Sequence, residues 1–193
     1  MSRPLTAAVG LTATVIALAL ASAAIALTII GTEGDDQIIG SPDDDAISAL
    51  GGNDTVRALA GSDRVAAGEG DDAVDAGPGR DRVGGGPGDD RILGGAHADI
   101  LVGGPGDDSI SGGAGPDRIV GGPGRDHLSG GRGNDAIRAI DGEADRIGCG
   151  PGRDRAAVDR VDVIVDATRR NPKGSCERVF VAPRSGHGSE SAG

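Results

Sequence analysis

Aromatic residues are nearly absent from this 193-residue chain, which has no Trp, no Tyr and one Phe, Phe180. The largest contributors to apolar burial are missing, so a deep globular core is excluded. Lysine is as scarce: Lys173 is the only one among 19 basic residues, and Gly174 follows it, so no phosphate-cradling G-K-[ST] loop can form. His97, His127 and His187 are each isolated, which rules out an H-E-x-x-H zinc site. Cys149 and Cys176 are the only cysteines and do not form a C-x-x-C pair. No grouping of nucleophile, base and oxyanion donors stands out, and the chain is expected not to be an enzyme.

Glycine is abundant instead, with 37 Gly and 10 Pro, a composition close to that of low-complexity chains. The 30 acidic residues outnumber the 19 basic ones for a net charge of −11. That balance argues against nucleic-acid binding and favours cations as partners.

At the amino terminus Arg3 precedes an apolar run from Ala7 to Leu20, and Ala21-Ser22-Ala23 supplies small residues at signal-peptidase spacing. Residues 1–23 are therefore expected to be a signal peptide and the mature chain to be secreted, with no membrane contact after cleavage. The alternative is an uncleaved anchor, since apolar character from Ala7 to Ile30 is long enough to cross a bilayer.

From residue 31 to 138 the chain falls into twelve contiguous rows of nine. Position 6 is always Asp: Asp36, Asp45, Asp54, Asp63, Asp72, Asp81, Asp90, Asp99, Asp108, Asp117, Asp126 and Asp135. Position 8 is always aliphatic, from Ile38 to Ile137. Position 4 is Gly except at Asp43 and His97, and position 2 is Gly in the last eight rows. Ala139 stands out of phase, and two weaker rows follow at 140–148 and 149–157 with Asp145 and Asp154 in the aspartate column.

Gly103-Gly104-Pro105-Gly106-Asp107-Asp108-Ser109-Ile110-Ser111 resembles the G-G-x-G-x-D-x-U-x nonapeptide of the RTX, or haemolysin-type, calcium-binding family. The resemblance covers residues 31–157 and implies an all-β fold: a right-handed parallel β-roll, a β-solenoid binding several Ca2+ ions in its turns. The roll is expected over 24–157. Rows alternating between two sheets make a coil of eighteen residues, so each turn stacks on the turn two rows away at about 4.8 Å. Alternation within a short strand at positions 7–9 turns position 8 inward.

One aliphatic per row is a thin core. Aspartates stacked at that spacing repel by about 3–4 kcal/mol per pair at an effective dielectric of 20. A divalent cation between them reverses the sign, and carboxylates with turn carbonyls form an all-oxygen set suited to Ca2+ rather than Mg2+ or zinc. The twelve column aspartates are therefore the candidate metal ligands, and folding is expected to be coupled to Ca2+. The competing reading is that Asp merely caps each turn by hydrogen bonding to backbone.

Two turn stacks result, one from Asp36 to Asp126 and one from Asp45 to Asp135. The first keeps Gly at position 4 throughout and adds Asp35, Asp71, Asp89 and Asp107 at position 5. The second carries Asp43 and His97 at position 4, and Arg80, Ala98 and Pro116 at position 5. The tightest sites are expected between Asp72 and Asp90 and between Asp90 and Asp108. Arg64, Arg82 and Arg118 at position 7 read as a solvated outer face balancing nearby Asp, the alternative being a basic stripe for an anionic partner.

Beyond residue 157 the nonad fails. Val161–Val165 and Val179–Val181 suggest a carboxyl-terminal cap over 158–183. A Cys149–Cys176 disulfide is expected to pin it, since an isolated cysteine pair in an exported chain pairs with itself. Residues 184–193 read as a disordered tail. These expectations describe a secreted calcium-binding roll with calcium ions as the implied partners. The alternatives are an adhesive or cell-surface interaction module, or an accessory module of a secreted hydrolase or toxin. An ice-binding face is disfavoured, because Thr32 and Thr55 are the only threonines in the twelve rows.

Overall fold

The computed structural model describes residues 26–165 and 176–182, together with a strand at Thr14–Ile16. The rest of the expected signal peptide, residues 166–175 of the expected cap, and the tail lie outside the described residues. Among the described residues there is no helix, and strands pair only in parallel within two nine-stranded sheets. The fold is a parallel β-solenoid, as the row pattern requires.

The first sheet is built from Thr14–Ile16, Gln37–Ile39, Thr55–Arg57, Ala73–Asp75, Arg91–Ala96, Ser109–Ala114, His127–Arg132, Arg146–Gly148 and Val163–Ile164. The second contains Thr28–Ile30, Ala46–Gly51, Arg64–Glu69, Arg82–Gly84, Ile100–Val102, Arg118–Val120, Ala136–Ala139, Arg155–Val158 and Arg178–Val181. Every strand neighbours the strand two rows away. Ile92, for example, pairs with Val74 on one side and Ile110 on the other. That offset of eighteen residues holds from row 31–39 to row 130–138.

The position 8 residues are fully buried between the sheets, and the single aliphatic per row is joined by a second inward column. Ala49, Ala58, Ala67, Ala76 and Cys149 at position 1 are also buried. Strand alternation explains both: if 8 points inward and 9 outward, position 1 of the next row points inward again. The same count run backwards makes position 6 inward.

Ala139 belongs to this inner column, buried and paired with Val158. The sequence places the extra residue at Ala139 itself. In the structure Ala139 keeps the small, buried place that position 1 demands, and the additional residue sits in the turn before Asp145.

The segment expected as a cap supplies the last strand of each sheet. Val163–Ile164 pairs with Arg146–Gly148, and Arg178–Val181 pairs with Arg155–Val158. Cys149 and Cys176 form a disulfide with both residues buried and Cα atoms 5.2 Å apart. It closes a span of 27 residues and restrains the unfolded chain by roughly 3 kcal/mol.

Candidate metal centre

Because position 6 points inward, every column aspartate is buried, at 1–2% exposure from Asp36 to Asp135. A buried carboxylate needs partners for both oxygens. One oxygen is served the same way along each stack: the backbone N–H of each aspartate donates to Oδ1 of the aspartate one coil later. Asp54 N to Asp72 Oδ1 is 2.7 Å, Asp72 to Asp90 2.9 Å and Asp90 to Asp108 2.9 Å. The second stack runs in parallel, with Asp81 to Asp99 and Asp99 to Asp117 both at 2.9 Å. Capping thus accounts for one oxygen, in a cross-coil form.

The other oxygen is left over. Oδ2 of Asp54, Asp63, Asp72, Asp81, Asp90, Asp99, Asp108, Asp117, Asp126, Asp135 and Asp145 is buried and accepts no hydrogen bond. In the glycine-rich rows it faces the cradle at position 1. A Cβ on Gly85 would meet Asp90 Oδ2 at closer than van der Waals contact and the Gly103 carbonyl oxygen at 2.8 Å. Gly103 repeats this arrangement with Asp108 and Gly121. Carboxylate and carbonyl oxygens therefore converge where glycine leaves space.

Among the described residues no three His, Cys, Asp or Glu side chains meet at one point. A cation here would be held by no more than two carboxylates, completed by backbone carbonyls and water. Such a hard, all-oxygen, adaptable set fits Ca2+.

The first coil of each stack differs. Thr32 N–H donates to Asp36 Oδ2 at 2.6 Å, and Ser41 N–H to Asp45 Oδ2 at 2.6 Å, with the hydroxyls adding bonds of 3.1 and 2.9 Å. Asp36 and Asp45 are brought into the columns, with Asp45 Oδ1 also accepting from Leu27 N–H and Asp36 Oδ1 buried without a partner, and their own turns serve Oδ2. The hydroxyl residues at position 2, in place of Gly, are the sequence signal for this. At the other end the columns outrun the twelve rows. Asp126 N–H donates to Asp145, Asp135 to Asp154, and Asp145 to Asp162. Row counting missed Asp162, because its turn is one residue short.

The stacks are unequal in the way position 5 suggests. In the first, Asn53, Asp71, Asp89 and Asp107 N–H groups donate in turn to Asp35, Asn53, Asp71 and Asp89 side chains at 2.8–3.0 Å. In the second, this outer ladder is interrupted after Ser62 N–H to Asp44 and returns only at Arg153 N–H to Asn134.

Burial raises the carboxyl pKa values, with repulsion from neighbouring aspartates adding to it. Asp90 and Asp108 are pushed up to about 7, and Asp54 and Asp63 to about 6. Asp99 also reaches about 6, with His97 acting in the opposite direction. A carboxyl whose pKa is raised on folding stabilises the fold at low pH, and that stabilisation is lost as pH rises through 6 to 7. In chelator, the chain is expected to gain β-structure as pH falls from 8 to 5. Circular dichroism across that range is the measurement, and more β-structure at pH 8 than at pH 5 would contradict it. Protons and Ca2+ compete for the same oxygens, so apparent Ca2+ affinity is expected to fall over the same interval.

A family model described as the RTX calcium-binding nonapeptide repeat matches in four copies, at residues 28–56, 48–83, 78–110 and 102–137. No curated protein matches the chain.

Proposed function

Since the chain belongs to the RTX calcium-binding nonapeptide-repeat family, whose repeats bind Ca2+ at multiple sites, we propose that it is a secreted, non-catalytic calcium-binding roll whose folding is coupled to the metal. The observation that carries this reading is the column of buried carboxylate oxygens without hydrogen-bond partners. Leaving a charged oxygen buried and unpaired is costly, and a cation shared between successive coils removes that cost.

The column aspartates from Asp54 to Asp135 would hold the ions. Asp45 contributes less, because Leu27 and Ser41 already serve both its oxygens, whereas Asp36 keeps a buried Oδ1 without a partner. Bound Ca2+ supplies positive charge between stacked carboxylates and fixes the spacing of the turns. The chain's own residues do the rest: glycines leave the space, and Oδ1 ties each coil to its neighbour. The amino-terminal pattern supports export, and the disulfide suits an oxidising compartment.

The tightest sites would lie at Asp72, Asp90 and Asp108, where the outer ladder of Asp71, Asp89 and Asp107 adds negative charge. Calorimetric Ca2+ titration of Asp90→Ala against Asp99→Ala tests this. The first substitution is expected to remove more bound Ca2+ than the second, and equal losses would refute the asymmetry. A wild-type chain that binds no Ca2+ would refute the function itself.

A further inference from the structure

The outward face of the second sheet carries charge of the opposite sign to the molecule. Arg64, Arg82, Arg118, Arg155 and Arg178 stand at position 7, with Arg138 at position 9, and all six are exposed. Strand register places Arg64 beside Arg82 and Arg155 beside Arg178, while Ile100 separates Arg82 from Arg118. No Asp or Glu occupies position 7 or 9 of this sheet. The solvated-face reading has these arginines balanced by nearby Asp, yet among the described residues their side chains make no hydrogen bond or ion pair. Of the two turn edges that flank this sheet, one carries Asp35, Asp71, Asp89 and Asp107 at position 5 and the other Arg80, Ala98 and Pro116 after Asp44. In a chain of net charge −11, the sheet face between them carries cations as its only charges at positions 7 and 9.

The surface beside Arg64 and Arg82 is apolar. Ala46, Ser48, Ala66 and Gly84 floor a shallow trough, closed by Ile30 at one end and by Ile100 and Val102 at the other. It crosses five strands along the roll axis, about 19 Å at the usual strand spacing.

We propose that this face docks an acidic polysaccharide lying along the roll axis. Guanidinium groups pair in bidentate fashion with carboxylate or sulfate, and arginines one or two strands apart present cations at about 4.8 and 9.6 Å intervals to a regularly charged polymer. The C–H faces of sugar rings cover the alanine and glycine floor. The trough is shallow and runs along the roll axis, and its exposed aliphatics Ile30, Ile100 and Val102 stand only at its two ends, so the face suits a linear chain better than a lipid bilayer, into which a cluster of side chains must project.

The test uses the full calcium-loaded chain against immobilised hyaluronate, dextran sulfate and neutral dextran, and against phosphatidylglycerol vesicles, all in excess Ca2+. Binding is expected to both polyanions and not to neutral dextran. The triple substitution Arg64→Gln, Arg82→Gln and Arg118→Gln should weaken it about 50-fold and flatten its salt dependence. Arg57→Gln, Arg91→Gln and Arg146→Gln on the first sheet remove the same charge and should change affinity less than about threefold. Circular dichroism in Ca2+ reports whether each triple variant keeps its β-structure, separating loss of docking from loss of the roll. Equal weakening by the two triples, capture by vesicles without polysaccharide binding, or no binding to either polyanion would overturn the proposal.

Discussion

In EDTA at pH 7.5 the chain is expected to lose most of its β-sheet signal, and millimolar Ca2+ to restore it. The physical reason is local to each coil. A nonad buries one aliphatic at position 8 and a glycine or alanine at position 1, too little apolar surface to offset the entropy of ordering nine residues. The same nonad buries a carboxylate whose Oδ2 has no partner. Without metal at neutral pH those carboxylates must take up protons, as the pKa values near 6 and 7 indicate, or leave the interior. Acidification supplies part of what Ca2+ supplies, which distinguishes this mechanism from nonspecific salt stabilisation. Far-ultraviolet circular dichroism with chelator, Ca2+ and matched NaCl is decisive. A full β-spectrum in EDTA at pH 7.5 would show that the columns fold without metal.

Gly104→Val is expected to destabilise the roll strongly, although it lies outside the metal column. Gly104 has φ +132°, and an added Cβ would lie 2.8 Å from the Gly86 carbonyl carbon and 3.2 Å from its Cα. Both contacts are backbone, so no rotamer change relieves them and adjacent coils must separate. The strained dihedral alone costs about 1–3 kcal/mol, and the total should reach about 3 kcal/mol or more. Leu50 makes an internal control. It holds the same position 2 with φ +85°, a left-handed conformation that a side chain can tolerate. Leu50→Gly should therefore change stability by no more than about 1 kcal/mol. Thermal unfolding in excess Ca2+ compares the two, and a Gly104→Val chain that melts like the wild type would refute the argument.

Much of this was legible in the sequence because the period is strict. Twelve aspartates in one column fixed the eighteen-residue coil, and the invariant aliphatic at position 8 fixed the face that packs. The unequal turn stacks could be read from Arg80, Ala98 and Pro116 against Asp35, Asp71, Asp89 and Asp107. Other features were hidden by the same regularity. The aspartates read as turn residues, and the inward direction of their side chains emerges only when strand alternation is continued through positions 6, 8 and 1. Ala139 looked out of phase because counting rows cannot say which residue a turn has gained. Asp162 was invisible for the converse reason, a turn one residue short. Thr32 and Ser41 stand where the last eight rows have Gly, and what their hydroxyls bond to is seen only in the structure.

The two irregular coils carry a consequence for how the molecule can vary. Between Asp126 and Asp145, and between Asp135 and Asp154, the offset is 19 residues, and between Asp145 and Asp162 it is 17. The aspartate bonds persist through both changes, and the strands on either side remain in register. Length is therefore rigidly specified only from the aspartate to the inward residue after the strand, while the outer arc of the turn absorbs gains and losses. The chain behaves as a ruler with slack at one edge of each division. Added sequence would be carried outward at Asp141–Ala144 without shifting the phase of anything beyond it, so the roll can acquire peripheral loops while its axis stays unchanged.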